Sequence, residues 1–72
     1  MTNTILLDKC IKSCGLTKAQ FAGALGISRQ SLYKKLANIT EFKQSEMQIA
    51  VKVLNLSADT STQIFFGVDV DK

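Results

Sequence analysis

The sequence predicts an all-α domain: a compact bundle of about five short helices, followed by a short extended tail at the C-terminal end. Three observations predict it. Apolar residues recur at helical spacing almost to the end of the chain. Capping signals cut that pattern into short segments. There is no Pro, and Gly occurs only at 15, 23, 26 and 67. A length of 72 residues allows one domain, spanning 1–72. With 46% hydrophobic and 21% charged residues the chain is expected to fold and not to stay disordered. A domain of this size is marginal on its own, so support from another subunit or partner would help it.

The first helix is expected over about 4–13. Leu7, Cys10, Ile11 and Cys14 follow the i, i+3, i+4, i+7 rule and make one apolar stripe. Gly15 stands where a helix-ending glycine would. Thr17-Lys18-Ala19-Gln20 reads as a capping box opening the second helix. Phe21, Ala22 and Leu25 are its inner face, and Gly26 ends it in the left-handed conformation a sharp turn needs. Ile27 packs into the turn. Ser28 caps a third helix that runs to about Ala37, with Leu32 and Leu36 as buried anchors and Asn38 as a stop signal. The fourth helix is expected after Ser45, from a second box Ser45-Glu46-Met47-Gln48, to about Leu54. Ser57 caps a last helix of one to two turns. The segment 65–72, with alternation after Gly67, is expected to be extended.

Composition excludes several functions. There is no His, so the commonest general base and metal ligand are both missing. No nucleophile–base pair and no room for a sizeable pocket remain, so the chain is not expected to be an enzyme or to take a small-molecule substrate. Cys10 and Cys14 are the only thiols, and no further soft ligand completes a zinc site. Both are expected to act as small core hydrophobes, with a redox pair as the alternative. No metal or cofactor is therefore expected. No apolar run approaches a membrane span, and the first residues lack a signal-peptide pattern, so the cytoplasm is the expected location.

Net charge is only +3, but its distribution is uneven. Between Lys9 and Thr40 stand six basic residues (Lys9, Lys12, Lys18, Arg29, Lys34, Lys35) and no acid. From Glu41 onward there are five acids and three bases. Such a basic half attracts a phosphate backbone; the plain alternative is a chance cluster of solvated lysines.

The segment 17–37 carries the most information. Two short helices joined by a turn at Gly26, with small Ala22 at their crossing and Ile27 and Leu32 closing the angle, make the arrangement of helix-turn-helix units. The stretch Leu16-Thr17-Lys18-Ala19-Gln20-Phe21-Ala22, continued by Leu25-Gly26-Ile27-Ser28-Arg29-Gln30-Ser31-Leu32, resembles the Cro/CI-type (XRE-like) helix-turn-helix family. The resemblance covers about 50 residues of a five-helix, lambda-repressor-like DNA-binding domain. The ending with Ile64-Phe65-Phe66 more distantly resembles small phage regulators of Gram-positive bacteria. Lys35 departs from the family pattern, which often has an apolar residue there; its long stem can snorkel outward.

The resemblance implies a sequence-specific regulator that binds a double-stranded DNA operator within a phage-type genetic switch. Ser28, Arg29 and Gln30 would reach base edges, Arg to guanine and Gln to adenine. Tyr33 and Lys34 would follow one turn later on the same face. Thr17, Lys18 and Lys35 would meet phosphates, the first two at a helix N-terminus. With so few aromatics, and those mostly in the core, single-strand recognition by stacking is not expected.

A second surface is expected on the fourth helix. If Ile49, Ala50 and Val53 face inward, Met47 and Val51 are left for a partner, joined by Phe66 and Val68 of the tail. A homodimer would match a palindromic operator. The rival reading is an antirepressor or modulator that holds a co-encoded repressor in a hetero-complex and blocks its DNA binding.

Overall fold

In the computed structural model, residues 1–67 are described and contain five helices. These are α1 (Thr4–Ser13), α2 (Lys18–Leu25), α3 (Arg29–Leu36), α4 (Gln44–Val53) and α5 (Ala58–Phe66). The all-α bundle is as the sequence predicts.

The first four helices end by one device. Each is followed by a residue with positive φ, namely Gly15 (72°), Gly26 (74°), Asn38 (60°) and Asn55 (52°). In each case the next amide reaches back five residues. Leu16 N–H donates to the Ile11 carbonyl at 3.2 Å, Ile27 to Ala22 at 3.0 Å, Ile39 to Lys34 at 2.9 Å and Leu56 to Val51 at 3.0 Å. This is the Schellman ending, which satisfies orphan carbonyls and places an apolar residue just past the helix. Leu16, Ile27 and Leu56 pack that side chain against the core. Ile39 does not, and stays 71% exposed.

Helix starts are equally explicit. Asn3, Thr17, Ser28 and Ser57 accept a backbone N–H three residues on, at 3.1 Å in each case. Thr17 and Gln20 complete the reciprocal box, with Thr17 N–H donating to Gln20 Oε1 at 2.9 Å. The box expected at Ser45 is corrected. Helix α4 already begins at Gln44, and the Glu46 carboxylate accepts the Lys43 N–H at 2.8 Å. A lysine side chain has no acceptor, so only half a box forms there. With Lys43 at the cap, Glu46 is the third residue of the helix and stands in reach of the cap amide.

The core is built from Leu7 and Ile11 of α1, Phe21, Ala22 and Leu25 of α2, Leu32 of α3, Ala50 of α4, Ile64 and Phe65 of α5, and the linking Phe42 and Leu54. Helix α2 packs on α3 and α4, and α1 on α5. The expected inner face of α4 is corrected at one residue. Ala50 is buried and Ile49 packs against the core as expected, but Val53 is exposed; Leu54 is buried, and Met47 and Val51 pack against the core as well. The proposed partner patch at Met47 and Val51 is therefore largely spent internally.

Helix α5 is longer than expected. Phe65 and Phe66 are helical, which corrects the start of the extended tail; Val68 and the rest of the tail lie outside the described residues. The Phe65 ring meets Phe42 edge-on, with centroids 5.6 Å apart at 75°. Burying Ile64 and Phe65 side by side outweighs the strand preference of an Ile-Phe-Phe run. The core reading of the thiols holds only in part. Cys10 is half-buried, and burial, with Cys14 adding, pushes its thiol up. Cys14 at the end of α1 is exposed, its Sγ 3.6 Å from the Leu54 carbonyl.

Asn38 ties the chain's first residues to the bundle. Its Oδ1 accepts the Thr2 N–H and its Nδ2 donates to the Thr2 carbonyl, both at 3.2 Å. Asn3 N–H donates to Ile64 at 2.6 Å, so the N-terminal segment bridges the end of α3 and α5. Asn38→Ala removes both side-chain bonds and leaves a less tolerant residue at positive φ. It is expected to lower stability by about 2 kcal/mol, read as a drop in Tm. Asn38→Gly, which keeps the backbone comfortable, is expected to recover part of that loss. Equal Tm for Asn38→Ala and the wild type would show that the Thr2 clamp contributes nothing.

Candidate nucleic-acid interface

Helices α2 and α3 are joined by the turn at 26–28, and α3 presents an outer face beyond it. Buried Leu32 and Lys35 fix which side of α3 points inward. The other sides carry Gln30, Tyr33 and Lys34, all exposed, with Arg29 exposed at the open first turn and Ser28 at the cap. Tyr33 is a large apolar ring left 49% exposed. Among the described residues no carboxylate lies within 4.0 Å of Arg29 or Lys34. Their charges face solvent, and the five residues that were expected to meet base edges share one accessible surface.

The Ser28 hydroxyl accepts the Ser31 N–H and remains free to donate. Thr17 is exposed in the same way at the start of α2, its oxygen engaged by Gln20 N–H. The capping box uses the Thr17 and Gln20 amides, so the amides of Lys18 and Ala19 are the α2 donors it leaves unused.

Lys35 requires a correction. It was expected to reach outward to a phosphate, yet its side chain is only 9% exposed. Its Nζ lies 3.3 Å from Glu46 Oε1, donates to the Glu41 carbonyl at 3.1 Å and sits 5.8 Å from the Phe42 ring centroid. An inward ammonium is tolerable only with such partners. Lys35 thus joins α3 to the loop at 41–42 and the first turn of α4. Nothing along the chain pairs Lys35 with Glu46, because the non-helical segment 37–43 separates their helices and breaks any periodic relation between them.

Lys18 is placed differently from expectation as well. Its Nζ is 2.7 Å from Asp8 Oδ1, and Lys12 Nζ is 3.1 Å from Asp8 Oδ2. Lys18 first, and Lys12 second, hold the Asp8 carboxyl below its ordinary 3.8, against a smaller opposing effect of desolvation. Asp8 therefore stays ionised through the neutral range, and these pairs weaken only as pH falls through that lowered value. The acid-free stretch begins one residue after Asp8, so folding sets this neighbouring carboxylate against two of the stretch's lysines, as it sets Glu46 against Lys35.

The remaining surface residue of the expected partner patch, Phe66, is 64% exposed. Among the described residues, no helix is long and apolar enough to cross a membrane.

One family, described as "Protein of unknown function (DUF739)", matches residues 3–68, nearly the whole chain. No curated protein and no solved structure matches it.

Proposed function

The chain belongs to that family, and from this premise we propose that it is a sequence-specific double-stranded DNA-binding regulator that lays α3 in the major groove. The observation that carries the reading is the outer face of α3. Arg29, Gln30, Tyr33 and Lys34 stand exposed on one short helix, Arg29 and Lys34 have no carboxylate beside them among the described residues, and a tight turn ties that helix to a capped α2. Here a guanidinium and an amide side by side at a helix N-terminus match the edges of guanine and adenine. Thr17 and the unused amides of α2 supply phosphate contacts one element away. The function is that of a switch protein resembling the Cro/CI-type regulators, acting in the cytoplasm without enzymatic activity or cofactor. Two copies on a palindromic operator give the α3 pair its register.

A second reading is favoured by one feature. Met1, Ile39 and Phe66 are exposed apolar residues, each adjacent in sequence to a residue of the junction formed by Thr2, Asn38 and Gly67. An antirepressor that holds a repressor protein would use such a surface in place of DNA.

Fluorescence anisotropy with duplexes from the flanking genome, at several salt concentrations, separates the two. Selective binding at about 10⁻⁸ M or tighter, weakening steeply with salt, is the expected result. Unselective binding at about 10⁻⁴–10⁻⁶ M overturns the DNA reading in favour of the protein-binding one.

A further inference from the structure

We infer that the groove between α1 and the start of α2 is a backbone-phosphate site that the protein neutralises with its own carboxylate, Asp8, so that Asp8 sets the strength and salt dependence of nucleic-acid binding. The inference rests on the DNA reading above and deepens it.

The groove has a volume of about 450 Å³ and an open mouth, and Asp8, Lys9, Lys12, Lys18 and Leu36 line it. Three ammonium groups around one carboxylate leave an excess of positive charge. Leu36 belongs to α3 and follows Tyr33 by one turn, so the groove borders the outer face of that helix. With α3 laid in the major groove, a flanking sugar–phosphate backbone would pass this edge. Lys18 stands at the first position of α2, where the helix dipole also favours an anion.

Asp8 already occupies the two lysines that face it. A phosphodiester carries one negative charge, as a carboxylate does, so its arrival exchanges one anion for another. The lysines gain little from that exchange, and Asp8 itself repels the phosphate. With Asp8 in place, Lys12 and Lys18 displace fewer condensed counterions from the DNA than two free lysines would. The device keeps a small protein with modest net charge from binding every duplex tightly, and leaves selectivity to the α3 face.

Asp8→Asn keeps the shape and removes the charge. It is expected to tighten binding to both operator and scrambled duplexes by roughly three- to tenfold and to steepen the log K against log salt slope by about one. Lys18→Gln in the wild-type background is expected to weaken binding, but by a smaller factor than in the Asp8→Asn background, because Asp8 already pairs with Lys18. In the Asp8→Asn background the same change is expected to cancel most of the gain. Asp8→Ser serves as the second variant, and thermal melts confirm that each remains folded.

Unchanged or weaker binding by the folded Asp8 variants, with wild-type selectivity intact, overturns this site and leaves the DNA reading standing. Additive effects of Lys18→Gln in the two backgrounds overturn it as well. Failure of the wild type to select any duplex removes the DNA reading and this inference together.

Discussion

Glu46→Gln is expected to lower the unfolding free energy by about 3 kcal/mol, a large share of the stability of so small a domain. The substitution keeps the shape of the side chain and its acceptor for the Lys43 N–H, and removes only the charge. Lys35 is then left as an ammonium, 9% exposed, with only uncharged partners: the amide oxygen at position 46, the Glu41 carbonyl and the Phe42 ring. An unbalanced buried charge costs far more than a surface pair contributes. The figure stands at the low end of the usual ~3–5 kcal/mol because a lysine stem can swing its head toward water. Replacing both partners, as Lys35→Met with Glu46→Met, is expected to return stability to within about 1 kcal/mol of the wild type, since a packed apolar pair avoids the desolvation of two ions. Urea or thermal unfolding followed by circular dichroism measures both. A Glu46→Gln loss below about 0.5 kcal/mol would mean that water reaches the pair. Because Lys35 lies on α3, the same variant is also expected to speed hydrogen exchange at the C-terminal end of that helix before the rest of the bundle.

The second large effect concerns selectivity. Arg29→Ala with Gln30→Ala is expected to reduce the preference for operator over scrambled duplex by at least thirtyfold, given about 1–3 kcal/mol of discrimination for each bidentate base contact. Tm is expected to shift little, because both side chains are exposed and neither has a partner among the hydrogen bonds and ion pairs of the described residues. Competition anisotropy with the two duplexes reads the ratio directly. Selectivity retained by the folded double variant would take base readout away from the N-terminal half of α3. A uniform loss on both duplexes would instead give these residues a phosphate-binding role.

Local chemistry made most of the fold legible. Caps at Thr17, Ser28 and Ser57 and stops at Gly15, Gly26 and Asn38 satisfy backbone groups within a few residues, so the helix limits they mark can be read along the chain. Asn55 acts as the same kind of stop, and an asparagine followed by leucine after an apolar helix was the available signal. The outer face of α3 was legible for a related reason. Once Leu32 is buried, helical geometry sends Gln30, Tyr33 and Lys34 to other sides, and Arg29 stays exposed at the open first turn.

What the sequence by itself determined is therefore the helix count, the capped turns and the surface carried by α3, because each depends on interactions spanning four or five residues. Tertiary structure alone decided the rest. The apolar width of α4 left its inner face open, and only packing set Met47, Ile49, Ala50, Val51 and Leu54 against the core and left Val53 outside. The Ile64-Phe65-Phe66 run became helix because Phe65 found Phe42. Lys35 turned inward because Glu46, eleven residues away, waited there, and Lys18 was neutralised because α1 laid Asp8 beside it. In each instance the deciding energy is a desolvation or burial term between groups distant in the chain, and such terms have a sign only once the distances in space exist.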